Sequence, residues 1–262
     1  MSLELIGTHT GLREAVSTDV LFITTSRGVF EALRRSLDKE LEEYRGKPGF
    51  TAVLGRYSDR EMLLACIPPY SHAIVDSIRE FYVVGVRKVI FFSEGLRLKG
   101  EHEALLAISA LPRDSASKQI ASLSLPPVAS LTLLQALLGA RGFSGESVVL
   151  ESGVSVALGT AISVDSLANE NALKRVLVES RKLRGAIAID CCTSALYSLH
   201  HVYAIDSLSV ILMALDVSKA RTFLPSTEAE RVSETVRELS LKIFPILFEK
   251  VVKSGEESRV QS

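Results

Sequence analysis

The chain predicts an α/β fold: one domain with a mixed central β-sheet flanked by helices. Short Val/Ile/Leu-rich runs bounded by turn residues recur along it, helical patterns lie between them, and no Pro/Gly/Ser-rich linker or internal repeat divides the 262 residues. The apolar runs are Val20–Ile23, Met62–Ile67, Val89–Phe92, Ala104–Ala110, Val148–Leu150, Ala186–Ile189 and Leu208–Leu215. Their length and composition suit strands buried on both faces.

Between the runs, Val29, Leu33, Leu37, Leu41 and Tyr44 repeat at intervals of three and four and predict one helix. Phe50–Leu54, Tyr57-Ser58-Asp59-Arg60 and Glu61–Ile67 read as an antiparallel hairpin. Ser71 is placed to cap a helix over Ala73–Val84, striped by Ile74, Ile78 and Phe81. Leu131–Leu138 and Leu173–Val178 are helical patterns, and Gly139-Ala140-Arg141-Gly142 stops the first of them. A long last helix starts after Pro225-Ser226-Thr227 and runs to about Val252, with Pro245 expected to kink or interrupt it. The domain is expected over residues 1–253, followed by a loose tail over 254–262.

Composition removes several classes of function. Thirty Lys and Arg against 31 Asp and Glu leave a net charge of −1, which argues against a dedicated nucleic-acid binder. A hydrophobic fraction of 47% excludes a largely disordered chain. No apolar run approaches the ~20 residues of a membrane span. Met1-Ser2-Leu3-Glu4-Leu5 has neither the basic start nor the apolar core of a signal peptide, so a cytoplasmic protein without a membrane partner is expected. Asn169, Asn171, Gln119, Gln135 and Gln261 are the whole amide complement, a scarcity that hints at a thermophilic source. Cys66, Cys191 and Cys192 form neither a disulfide framework nor a zinc spacing; Cys191 and Cys192 read as packing residues on a helix, and no metal or cofactor is expected.

Several segments, in order, resemble the nucleoside phosphorylase family, the hexameric purine nucleoside and uridine phosphorylases. They are Arg45-Gly46-Lys47-Pro48-Gly49-Phe50-Thr51, Ser71-His72-Ala73-Ile74 through Gly85-Val86-Arg87-Lys88-Val89-Ile90, the surroundings of Tyr197, Ile211-Leu212-Met213-Ala214-Leu215-Asp216, and Thr227-Glu228-Ala229-Glu230-Arg231. The similarity runs from about His9 to Val252. Such chemistry needs cations and N–H groups for phosphate, a carboxylate for the ribose hydroxyls and an acid for the departing base. The resemblance implies that Asp216 occupies the place of the acid that protonates a purine and that Arg231 is its partner. It also implies that His9 and Arg45 are lent to the neighbouring subunit's site, His9 near the ribose and Arg45 to the phosphate. A homodimer or a homohexamer built as a trimer of dimers is therefore expected.

The rest of the site departs from the family's pattern. The loop that is usually Gly-Asp-Pro followed by an Arg is Thr24-Thr25-Ser26-Arg27-Gly28, which puts Gly28 at the phosphate-binding Arg position with Arg27 beside it. Phe91 stands where the second phosphate Arg would be, and Glu94 where a hydroxyl would bind phosphate. Pro68 and Pro69 remove N–H donors from the turn before Ser71. The family's Met-Glu pair, whose Glu holds the 2′ and 3′ hydroxyls, is Cys191-Cys192, and Leu167 takes the place of the aromatic that stacks on the base. One charge-assisted hydrogen bond to an anion is worth about 1.5–3 kcal/mol, so these changes remove roughly 10³ or more in phosphate affinity or rate. Two classes stay open: an enzyme of N-glycosidic bonds, by phosphorolysis or by hydrolysis, and a non-catalytic sensor or assembly protein on the same scaffold. Either takes a nucleoside or base as its small-molecule partner.

Overall fold

The computed structural model describes residues 8–120, 126–139, 146–167, 169–183, 185–219 and 225–260. Its strands are β1 (Val20–Thr24), β2 (Lys39–Arg45), β3 (Thr51–Tyr57), β4 (Arg60–Cys66), β5 (Lys88–Arg97), β6 (Ala104–Pro112), β7 (Ser147–Val149), β8 (Ser155–Ser163), β9 (Ala186–Asp190) and β10 (Asp206–Asp216). Its helices are α1 (Arg27–Arg35), α2 (Ser71–Val83), α3 (Ser115–Ile120), α4 (Leu131–Leu138), α5 (Glu170–Ser180), α6 (Thr193–Tyr203) and α7 (Ser226–Val260). All the strands join one mixed sheet, and the expected α/β architecture is what is found.

β5 organises that sheet. Its first half pairs with β1 in parallel, from Val20↔Lys88 to Thr24↔Phe92. Its opposite edge pairs with β10 along nearly its whole length, from Asp206↔Lys88 to Asp216↔Arg97. Beyond Phe92 the side vacated by β1 is taken by β9, antiparallel, through Leu96↔Ile189 and Arg97↔Ala188. β10 continues to β6, β6 to β8 and β8 to β9, so β5, β10, β6, β8 and β9 close on themselves as a small barrel. β1, β4, β3 and β2 extend from it as an open wing.

Closure requires Gly95. A Cβ there would lie 2.3 Å from Ile211 Cγ2 on β10 and 2.8 Å from the Ile189 carbonyl oxygen on β9, so only a residue without a side chain lets three strands meet. Helices α1, α4 and α7 cover one side of the structure, and α2, α3 and α6 pack together on the other. Phe22, Tyr57, Phe244 and Phe248 interlock between the sheet and α7, with Tyr57–Phe244 and Tyr57–Phe248 ring centroids 4.8 and 5.0 Å apart. Leu96, Ile162, Leu173, Val176 and Ile189 form a smaller core under α5.

Four sequence expectations need correction. The predicted helix from Val29 to Tyr44 is α1 followed by edge strand β2. Ser36 stops α1, its hydroxyl donating to the Leu33 carbonyl at 2.6 Å. Leu37 then packs over Gly55, and Lys39–Arg45 pairs with β3, so the three-and-four spacing of leucines was shared by a helix, a turn and an edge strand. Ser71 does not cap α2: Tyr70 is the N-cap and gives no side-chain hydrogen bond, while Ser71 is the first helical residue. Cys191 and Cys192 stand just before α6 rather than on it, Cys192 being its N-cap. Of the two effects expected of Pro245, a kink or an interruption, the interruption is not found: α7 continues through it to Val260.

The hairpin prediction holds, with Ser58 and Asp59 both at positive φ in the two-residue turn between β3 and β4. Among the described residues no helix is long and apolar enough to cross a membrane. Barrel closure gives a direct expectation. Gly95→Ala destabilises the protein by about 1–3 kcal/mol in urea unfolding, because the new methyl meets a β-branched side chain and a backbone carbonyl. Gly185→Ala, whose Cβ meets only Thr160 Oγ1 at 3.7 Å, unfolds close to the parent.

Candidate functional site

The parallel strands β4, β1, β5 and β10 deliver their carboxyl ends to one edge of the sheet, where open α/β sheets bind ligands. At the β1 end the Thr24 hydroxyl accepts from the Ser26 N–H at 3.1 Å, and Ser26 caps α1. Arg27 opens that helix with its side chain 68% exposed, paired to Glu31 at 2.7 Å. Gly28 lies against α7: a Cβ would stand 3.5 Å from Ser233 Oγ. Phe91 is fully buried in the core, and Glu94, on the same strand, is exposed. Burial pushes the Cys66 thiol at the end of β4 up to about 11; Arg27 pulls it down, while Glu31 and Glu94 push it further up. One cation and two carboxylates thus bear on Cys66 at this end of the edge.

At the other end of this edge, Asp216 closes β10. Its carboxylate faces Arg97 of β5, with Oδ1 3.8 Å from Nε. Arg97 also donates through Nη2 to the Met213 carbonyl at 2.6 Å. Arg231 is exposed early in α7, and among the described residues no ion pair joins it to Asp216. Cys192 is buried in the main core, where burial and the neighbouring Asp190 push its thiol well up. The Cys191 thiol is pushed up to about 12, first by burial and then by Asp190. Leu167 packs against the small core beneath α5.

Asp190 points inward, away from the strand-end edge. It is completely buried and accepts from Ser163 Oγ at 2.6 Å, Ser93 Oγ at 3.0 Å, Thr193 Oγ1 at 2.5 Å and the Thr193 N–H at 3.0 Å. Burial raises it above the usual carboxylate range despite those hydrogen bonds. Asp114, equally buried, holds Ser117 and Ser194, and the Ser194 N–H donates to Ser163 Oγ at 2.9 Å. This polar layer ties the start of α6 to α3, β8 and β5 and is structural.

His9 and Arg45 come together on adjacent segments. The Lys47 N–H donates to the His9 carbonyl at 2.9 Å, and Gly11 packs on the Arg45 backbone. Glu80 of α2 fixes this N-terminal segment: it accepts from the His9 N–H at 3.0 Å, the Thr10 N–H at 2.8 Å and Thr10 Oγ1 at 2.7 Å, and its Oε1 meets His9 Nδ1 at 3.1 Å. His9 Nε2 faces Lys47 Nζ at 3.0 Å and Asp76 at 3.5 Å. The Arg45 side chain is 80% exposed and pairs with Glu43.

Sequence reasoning missed Glu80 and Arg97. Glu80 had a readable signal, a carboxylate in the buried row Ala73, Ser77 and Glu80 of α2, continued by its C-cap Val84. Arg97 is a lone cation between Leu96 and Leu98, but its partner depends on the register of β5 against β10.

No protein-family model and no curated protein matches the chain. Solved structures do. A purine nucleoside phosphorylase from Toxoplasma gondii, in complex with immucillin-H, superposes with a TM-score of 0.74 at 17% identity, covering 92% of this chain and 96% of that one. A uridine phosphorylase from Vibrio fischeri, complexed with 6-hydroxy-1-naphthoic acid, gives 0.69 at 17% identity over 90% and 92% of the two chains. The same enzyme in a second structure gives 0.68 at 14% identity, over 88% and 92%. The chain has a nucleoside phosphorylase-type fold.

Glu80 supplies a pH test of the N-terminal clasp. Burial pushes its carboxyl up, but the hydrogen bonds from Thr10 and His9 outweigh burial and hold it below the usual value. Its contribution is therefore complete above the unfolded-state value of about 4.3 and is lost as the pH falls through the depressed folded-state value. Glu80→Gln is expected to cost about 1–3 kcal/mol at pH 7 in urea unfolding. The gap to the parent should narrow below about pH 4; an equal gap from pH 3 to pH 7 would remove the ionised clasp.

Proposed function

We propose that this protein binds a nucleoside or nucleobase-like ligand at the carboxyl ends of its parallel strands and does not carry out ordinary phosphorolysis. The observation that carries this reading is the charge at the phosphate end: Arg27 is tied to Glu31, and Glu94 is the second carboxylate bearing on Cys66. A phosphate dianion placed there meets more negative than positive charge, and Coulomb repulsion at short range opposes its binding. Buried Phe91 and half-buried Gly28 occupy the positions where the resemblance implies arginines.

Asp216 supports the ligand-binding half of the reading. It lies at the opposite end of the same edge, its side chain 41% exposed and accepting contact from solvent or a heterocycle. The fold is shared with proteins whose solved structures hold immucillin-H and 6-hydroxy-1-naphthoic acid, which favours a flat, nucleoside-sized ligand here. His9 and Arg45 would complete the site from a second copy of the chain in a homodimer or homohexamer.

The test incubates the protein with inosine, adenosine and uridine, with and without orthophosphate, and follows release of the free base. The expected result is no phosphate-dependent cleavage above about 1% of the general enzyme median of ~10 s⁻¹. Turnover within tenfold of that median would contradict the proposal. Light scattering is expected to give a dimer or hexamer; a mass near 28.5 kDa at micromolar concentration would remove the shared site.

A further inference from the structure

β8 changes neighbours along one of its edges. β6 holds nearly the whole of the other edge, from Ala104↔Val156 to Pro112↔Ser163. On the first edge, β7 pairs from Ser147↔Ala157 to Val149↔Ser155, and β9 takes over from Thr160↔Ala186 onward. Beside the first pairing the Leu158 N–H donates to the Glu146 carbonyl at 2.8 Å, and at the start of the second the Thr160 N–H donates to the Gly185 carbonyl at 3.0 Å. Between those two bonds, at Gly159, β7 and β9 part. A cavity of about 320 Å³ opens there, walled also by Lys99, Gly100 and His102 beyond the end of β5. Gly185 borders open space on this wall, since a Cβ there would touch only Thr160 Oγ1, at 3.7 Å.

The lining carries one fixed charge of each sign among the described residues, Lys99 and Glu146, both exposed at the mouth. Lys99 gives one of its three ammonium donors to the Leu183 carbonyl at 3.1 Å, which holds the cation in place with donors to spare. His102 meets Ser155 Oγ through Nδ1 at 2.8 Å, and its other ring nitrogen lies beside Gly100 on the cavity wall. Half-buried Leu158 and Ile187 add an apolar surface. A dianion would be repelled by Glu146 and a simple cation by Lys99, whereas a ligand bearing both signs satisfies both. The volume is at the small end of the roughly 300–1,000 Å³ of ligand pockets, so the ligand is compact. We infer that this cavity binds a small aliphatic α-amino acid, with its carboxylate on Lys99 and His102, its ammonium on Glu146 and its side chain against Leu158 and Ile187. None of these residues belongs to the strand-end edge, so the inference stands apart from the nucleobase reading.

Calorimetric titration with L-valine tests it, against isovalerate, which lacks the ammonium, isobutylamine, which lacks the carboxylate, and orthophosphate. Valine is expected to bind with a Kd of about 1 mM or tighter, and each of the other three at least about tenfold more weakly. Lys99→Met and Glu146→Gln, both at exposed positions, should each weaken valine at least about tenfold. Three results overturn the inference: no saturable valine binding up to about 10 mM, binding that survives either substitution, or isovalerate, isobutylamine or orthophosphate bound as tightly as valine.

Discussion

Strand β5 has to be a member of an open parallel sheet and a stave of a closed barrel at once, and the rest of the structure follows from that double duty. The first half must be apolar on both faces, because β1 and β10 flank it and helices cover it; Val89, Ile90, Phe91 and Phe92 meet that demand. The second half must let β9 replace β1, which only Gly95 permits. Ser93 lies where the two halves join and gives its hydroxyl to Asp190, so the barrel is tied to α6 by a buried carboxylate. Fully hydrogen-bonded polar layers of this kind fix one arrangement of neighbouring elements, since a half-satisfied alternative is costly.

That constraint shapes the strand-end edge. A side chain at position 91 is locked into the core, so this part of the edge receives no side chain from it, and the next outward-facing group on β5 is Glu94. α1 faces α7 at Gly28, where a Cβ would be in ordinary contact with Ser233 Oγ at 3.5 Å. Toward the barrel, by contrast, β5 ends in Arg97 beside Asp216, a cation and a carboxylate with hydrogen-bonding capacity unspent.

Much of the fold was legible in the sequence, and the failures have physical causes. Buried strands with uninterrupted Val/Ile/Leu runs, such as β1, β4 and β10, were readable because burial on both faces leaves no other composition. β8 escaped notice because Gly159 and Thr160 break its apolar run, and Gly159 is there to let Ile187 of β9 approach. β2 was misread because an exposed edge strand with charges on both faces carries no period of two. At the site, Asp216, Arg27, Arg45 and His9 were visible as single residues. The Arg97–Asp216 pair and the hold of Glu80 on His9 were not, because each joins positions whose meeting depends on strand register or on a chain segment folding back across α2.

The central claim is that this nucleoside phosphorylase-type fold lacks a working phosphate site, and phosphorus NMR of orthophosphate measures that without assuming any substrate. Titrating the protein into millimolar phosphate at neutral pH is predicted to leave the resonance unshifted and unbroadened, consistent with a Kd well above ~1 mM, which corresponds to about 4.1 kcal/mol of binding. Saturable broadening with a Kd below that value, lost on changing Arg27 to Met, would contradict the account.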